Sequence, residues 1–244
     1  MSKAPLLRPD LLNRDIATTL KSMTLPMILG MIMLMTFGLV DTFFISMLGT
    51  DELAAISFTF PVTFTIISLN IGLGIGTSAV IARLLGANLH EQAKETATGA
   101  LMLAFVLAII LAVVGVVSLE PIFSLMGASQ ELMVHIKDYM YVWYAAGVFL
   151  AMPMVGNSVL RAAGDTKTPS YIMAFGGLVN VVLDPLLIFG WGPFPALGIQ
   201  GAAIATLIAW AISLFYIIYL LAVKRQLMKA RLLNWPELKR SCGG

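Results

Sequence analysis

An all-α membrane protein with six spanning helices is the fold class this sequence predicts. Three observations predict it. Hydrophobic residues make up 59% and charged residues 11% of the 244, whereas soluble domains are about half apolar and about a quarter charged. Six segments reach the ~20 mostly apolar residues that a helix needs to cross a bilayer. Lysine and arginine cluster on alternate connections, the pattern of a chain threaded back and forth with its basic loops in the cytoplasm.

The lead-in, residues 1–23, carries Arg8, Asp10, Arg14, Asp15 and Lys21 and has no small-residue cleavage pattern, so it is not a removable signal peptide. Leu12, Ile16 and Leu20 recur every four residues, which predicts a short interfacial helix lying on the membrane. Thr18 and Thr19 narrow its apolar face, and a solvated lead-in is the alternative. The first span runs from Thr24 to Met47, with Pro26 as a kink or a first-turn residue. The second runs from Ala54 to Leu85, with Pro61 a further kink position. Its Gly72, Gly74 and Gly76 lack a preceding strand and the dinucleotide spacing, so they read as a thin helix face for close helix approach.

The third span is Thr96 to Leu119 and the fourth Leu132 to Leu160. Gly164-Asp165-Thr166-Lys167-Thr168-Pro169 follows as a turn, with Pro169 suited to the first turn of the fifth span, which reaches Gly190. Gly192-Pro193-Phe194-Pro195 makes a rigid uncharged turn. The sixth span, Ile199 to Val223, carries a second thin face at Gly201 and Ala205. Residues 224–244 form a basic polar tail with Trp235-Pro236, consistent with a linker.

Six spans place both ends on one side. That side receives Lys3, Arg8, Arg14, Lys21, Arg83, Lys94, Arg161, Lys167, Lys224, Arg225, Lys229, Arg231, Lys239 and Arg240, while the other receives only Lys137. Both ends are therefore expected in the cytoplasm.

Several function classes find no support. The net charge is only +2 and the basic residues are dispersed, so no nucleic acid partner is expected. The single cysteine, Cys242, allows neither an intrachain disulfide nor a multi-cysteine metal site. His90 and His135 fall on opposite sides, and HExxH and GxSxG are absent, so no metal centre, cofactor or enzymatic chemistry is expected.

Asp41 and Asp184 carry the functional signal. Each lies inside an apolar run, where a carboxylate costs ~2.5 to 3.5 kcal/mol on the insertion scale and ordinarily faces inward with a role. At 1.5 Å per residue, Asp41 lies ~25 Å and Asp184 ~22 Å from the cytoplasmic ends of their spans, at similar depth. Asn180 precedes Asp184 by four residues and shares its helix face. Pro185 offers no amide to the Val181 carbonyl, which makes it a third kink candidate. Low dielectric and a neighbouring carboxylate both disfavour the charged form of an acid, so such a pair is suited to bind and release a proton or cation. Helix capping or loop hydrogen bonding is the alternative. Asn70, Asn157 and Thr206 are expected to bond between helices, with substrate contact as the alternative. The fifteen methionines and the aromatic residues are expected mainly in packing and lipid-facing roles, a promiscuous drug cavity being the other use.

Four strings carry a family resemblance. They are Val40-Asp41-Thr42 with Leu48-Gly49 and Leu53-Ala54-Ala55; Arg161 through Pro169; Asn180-Val181-Val182-Leu183-Asp184-Pro185; and Gly198 through Thr206. In this order they resemble the multidrug and toxic compound extrusion (MATE) family, over about residues 15 to 235, and most of all its branch of DNA-damage-inducible proteins. The resemblance implies one six-helix lobe, the N-terminal half, of a cation-coupled antiporter in a bacterial or archaeal inner membrane. Substrates would be bulky, often cationic or amphipathic organic compounds, exported by alternating access between two lobes. It assigns cation coupling to Asp41 and Asp184, by proton first and sodium second, with Asn180 and the Thr206 hydroxyl as polar neighbours. Family members have about twelve spans, so a second six-helix lobe is implied, in a longer chain, a separate chain or a second copy. A flippase-like exporter of lipid-linked sugars is the nearer rival, and would be expected to carry deep basic residues. A non-transporting lobe, acting as an assembly partner or fragment, is the rival of another class.

Overall fold

A computed structural model describes residues 15–224, 227 and 228, apart from the side chain of Leu34. Six long helices make up nearly all of it: α1 (Ile16–Ser46), α2 (Thr50–Gly86), α3 (His90–Leu125), α4 (Gln130–Ala162), α5 (Lys167–Ile188) and α6 (Ile199–Tyr219), the last followed by a π turn at Leu220–Lys224. All six are long and apolar enough to cross a membrane. No strand occurs among the described residues. Lys3, Arg8, Leu12, Arg14, most of the tail and Cys242 lie outside the described residues.

Helix α4 is the most buried of the six and packs against α2, α3 and α6. Helix α1 packs chiefly on α5, which in turn packs on α6, and α1 makes little contact with α2. The helices α1, α5, α6, α4 and α2 therefore form an incomplete ring, with α3 outside it. Small residues let these backbones approach, as expected where lipid supplies no hydrophobic force between helices. A Cβ on Gly74 would lie 2.6 Å from Ser158 Oγ, and one on Gly201 would lie 2.5 Å from the Leu187 carbonyl oxygen.

The helix boundaries correct several expectations. Helix α1 begins at Ile16, so residues 16–23 are the first two turns of the first spanning helix rather than a separate interfacial one. Pro26 consequently lies inside α1, and its first-turn reading is overturned. Gly72 and Gly76 face open space, so the thin face of α2 reduces to Gly74. Positions two apart on a helix diverge by roughly 200°, so Gly74 faces away from Gly72 and Gly76, which share the opposite face.

The turns follow from the sequence. Gly164 takes a φ of 82°, and the Asp165 amide reaches back to the Leu160 carbonyl at 2.9 Å, a Schellman ending for α4. Asp165 then accepts from the Thr168 amide at 3.1 Å and from the Thr168 hydroxyl at 2.7 Å, tying the start of α5. Pro169 sits in the first turn of that helix, where its missing amide costs nothing. Odd helices start and even helices end at a basic end holding Lys21, Arg83, Lys94, Arg161 and Lys167. The opposite, acidic end holds Asp51, Glu52, Glu120 and Glu131, with Lys137 on α4 paired to Glu120 on α3.

Candidate functional site

Helices α1 and α5 run in the same direction and side by side, which brings their acids to one depth near the acidic end. Asp184, on the last turn of α5, is completely buried. One turn earlier, Asn180 Nδ2 donates to Asp184 Oδ1 at 3.3 Å and to Thr206 Oγ1 of α6, also at 3.3 Å. The i,i+4 spacing that the sequence displays thus becomes a polar string of carboxylate, amide and hydroxyl across two helices. Its other oxygen, Asp184 Oδ2, is buried without a hydrogen-bond partner, and so is Asp41 Oδ1.

Asp41, Asn180 and Thr206 open onto one cavity of about 240 Å³ inside the ring of helices. Asp184 is not on its wall and reaches it through Asn180. Aromatic rings form much of the remaining wall, from Phe37, Phe60, Tyr139, Trp143 and Trp210. Tyr139 is buried and lines the same cavity as Asp41. Among the described residues, no lysine or arginine lines the cavity. A carboxylate in low dielectric without a basic partner is costly while bare and charged, so the arrangement suits acids that hold a proton or a small cation. Carboxylate, amide and hydroxyl oxygens are also the hard donors a sodium ion takes. No cluster of three or more histidine, cysteine, aspartate or glutamate residues that can hold a metal is present among the described residues.

The four residues singled out in the sequence, Asp41, Asp184, Asn180 and Thr206, are thus brought together. Thr206 bonds between helices as expected. Asn70 does not, since its Nδ2 donates to the Ile66 carbonyl of its own helix at 2.9 Å. Asn157 also departs from expectation: it is buried on the cavity wall and its Oδ1 has no partner. Pro26 and Pro185 both lie inside helices that continue past them. The Pro26 carbonyl accepts from Ser170 Oγ of α5 at 2.7 Å, a tie between α1 and α5 that the sequence did not signal. Tyr139 and Trp143 were also missed as cavity residues. Their spacing of four on one helix was the available sign, but only the packing shows what that face meets.

Fold and site together define a multi-pass membrane protein built as a helical lobe around an acidic, aromatic-walled cavity. The chain belongs to the MATE family: the MatE family model matches residues 26–186. It is 48% identical over 238 residues to the FAD transporter of Shewanella oneidensis strain MR-1, covering 95% of this chain and 53% of that protein. It is 31% identical over 179 residues to the probable multidrug resistance protein YoeA of Bacillus subtilis strain 168, covering 73% of this chain and 38% of that one. A solved structure of the outward-facing conformation of a multidrug resistance MATE family transporter superposes with a TM-score of 0.85 at 32% identity, covering 96% of this chain and 52% of the other. The chain spans about half the length of these proteins or less, and its six helices form the N-terminal half of a MATE fold.

Proposed function

We propose that this chain is one half of a cation-coupled MATE-type exporter, in which Asp41 and Asp184 bind the driving ion and the cavity walls bind the exported compound. The observation that carries the reading is the Asp184–Asn180–Thr206 string, which meets Asp41 at one cavity that no basic side chain lines among the described residues. Proton coupling is the first expectation, with sodium as the alternative ion. Alternating access requires a second six-helix half, supplied by a longer chain, a separate chain or a second copy. The setting is a bacterial or archaeal inner membrane with the basic end in the cytoplasm.

The substrate is a small organic compound, cationic or amphipathic. An aromatic wall beside two carboxylates attracts an organic cation through both charge and ring faces. Ion binding to the acids removes negative charge from the cavity, weakens the hold on a cationic compound and releases it. A flippase for lipid-linked sugars fits less well, because its pyrophosphate headgroup requires basic residues that the cavity lacks. An orphan lobe without transport activity gives no reason for burying two acids without a basic partner.

The FAD transporter similarity favours a second reading, export of a flavin dinucleotide. The rings of Phe37, Tyr139 and Trp143 suit a planar heterocycle. The pyrophosphate would then have to lie outside this cavity. Proteoliposomes holding the assembled transporter decide between the readings. An imposed ion gradient should drive uptake of an organic cation such as ethidium on the first reading and of FAD on the second. The Asp41→Asn and Asp184→Asn variants should abolish either, and unchanged gradient-driven uptake in both variants would refute the proposal.

A further inference from the structure

Each acid is followed four residues later by a fully buried isoleucine: Asp41 by Ile45 at 0% exposure and Asp184 by Ile188 at 1%. Four residues on a helix is one turn, so each isoleucine stands directly beyond its acid toward the acidic end. Both belong to one apolar cluster with Ala55 and Ile56 of α2 and Ile199 and Ala203 of α6. Ile56, Tyr139 and Trp143 belong to this cluster and also line the cavity, so the cluster forms the cavity floor. Packed against this cluster, Phe44 meets Phe189 edge-on with ring centroids 6.2 Å apart, and Phe189 meets Trp191 at 6.1 Å.

The backbone at this end is closed as well. The last carbonyls of α5 are taken by the following connection, the Leu197 amide donating to Leu187 at 2.9 Å and the Gly198 amide to Ile188 at 3.1 Å. The unpartnered oxygens of Asp41, Asp184 and Asn157 all belong to the cavity and its polar string, not to this layer. Two further buried oxygens lack a partner: Thr19 Oγ1, near the start of α1 at the basic end, and Tyr144 Oη, whose residue belongs to this cluster but whose ring packs against Gly115 of α3.

We propose that Ile45 and Ile188, with the Phe44–Phe189 pair packed against their cluster, are an outer seal that confines ion exchange at Asp41 and Asp184 to the cavity side. The acids lie close to the acidic end along the chain yet are cut off from the water there by a dry layer one turn thick. Ions therefore arrive and leave only through the cavity, whose state the second half of the transporter controls. Without such a layer, an acid this close to the far surface would equilibrate with both sides and short-circuit the gradient. The inference rests on the ion-coupling reading of the two acids, but its test measures water access alone.

The test uses Cys242→Ser protein in sealed membrane vesicles, with single cysteines at Asp184, Asn180 or Asp51. A membrane-impermeant maleimide is added on the side where Asp51→Cys reacts, and rates are compared in the state whose cavity is closed to that side, identified by protection of a control cysteine at Thr63 on the cavity wall. With the seal intact, Asp184→Cys and Asn180→Cys should react roughly a hundredfold or more slowly than Asp51→Cys, because reaction waits on a local opening. Adding Ile45→Ser and Ile188→Ser should speed both by roughly tenfold or more, since a polar side chain admits water to the layer. Labelling of Asp184→Cys or Asn180→Cys from that side at the Asp51→Cys rate, with the seal intact, overturns the proposal without any seal variant being needed. Loss of ion-coupled export in Asp41→Asn is scored separately, so an access result and a coupling result fail independently.

Discussion

Substituting Gly177 by alanine should loosen α1 from the lobe. A Cβ at this position would stand 1.8 Å from Phe37 Cδ2 and 2.2 Å from Phe37 Cε2, against ~3.5 to 4.0 Å for a comfortable carbon contact. Nearly 2 Å must be recovered by turning the ring or displacing α1. Phe37 also lines the cavity, so a turned ring costs volume there. Over-packing of this kind costs about 1 to 3 kcal/mol. The penalty falls on one contact, because α1 is largely exposed along its length and leans chiefly on α5, while lipid supplies no hydrophobic force to hold the pair. A double-mutant cycle with Phe37→Ala isolates it. In detergent, followed by SDS-induced unfolding, the double variant should be more stable than the sum of the singles predicts, by a coupling of about 0.5 to 3 kcal/mol. Additivity within about 0.5 kcal/mol would show that the ring and the glycine are not in the contact described, and the α1–α5 account would fail.

Gly201→Ala should be worse than Gly177→Ala, because its neighbour is the Leu187 carbonyl, at 2.5 Å, rather than a ring that can turn. Lower expression and a lower unfolding midpoint than Gly177→Ala are expected, and equal or milder loss would contradict the reasoning. Asp165→Ala removes acceptors for the Thr168 amide and hydroxyl at the start of α5 and should cost about 1 kcal/mol, as for a lost helix cap. Asp165→Asn should recover part of it, since an amide oxygen still accepts, and unfolding midpoints of the two variants compare them directly.

The spanning helices were legible because hydropathy alone forces twenty-residue apolar runs into helices. Their ends were not. Helix α3 was expected over 96–119 and runs His90–Leu125, because its polar first turns and its last turn past Glu120 continue the helix beyond the apolar stretch. The same effect hid the start of α1 and so misplaced Pro26 in a first turn. At the site, Asp184 and Asn180 could be joined from spacing alone, since both lie on one helix. Thr206 was legible from the residues only as a group bonding between helices, its place beside the acids came from the family resemblance, and the contact across 26 residues is a property of α5 against α6. Asn70 and Asn157 look alike in sequence, each an amide in an apolar run. One turned to its own helix and the other to the cavity, a distinction set by what faces each helix. The recurrence of isoleucine four residues after each acid was visible from the start, but meant nothing until both side chains proved to lie in one buried layer.

The central claim is that Asp41 and Asp184 together hold one exchangeable ion that a substrate displaces. Ion release on substrate addition to the purified, assembled transporter tests it most directly, with a pH indicator for protons and radioactive sodium for the alternative. The account predicts release from the native protein and none from Asp41→Asn or Asp184→Asn. Undiminished release from either variant would contradict it.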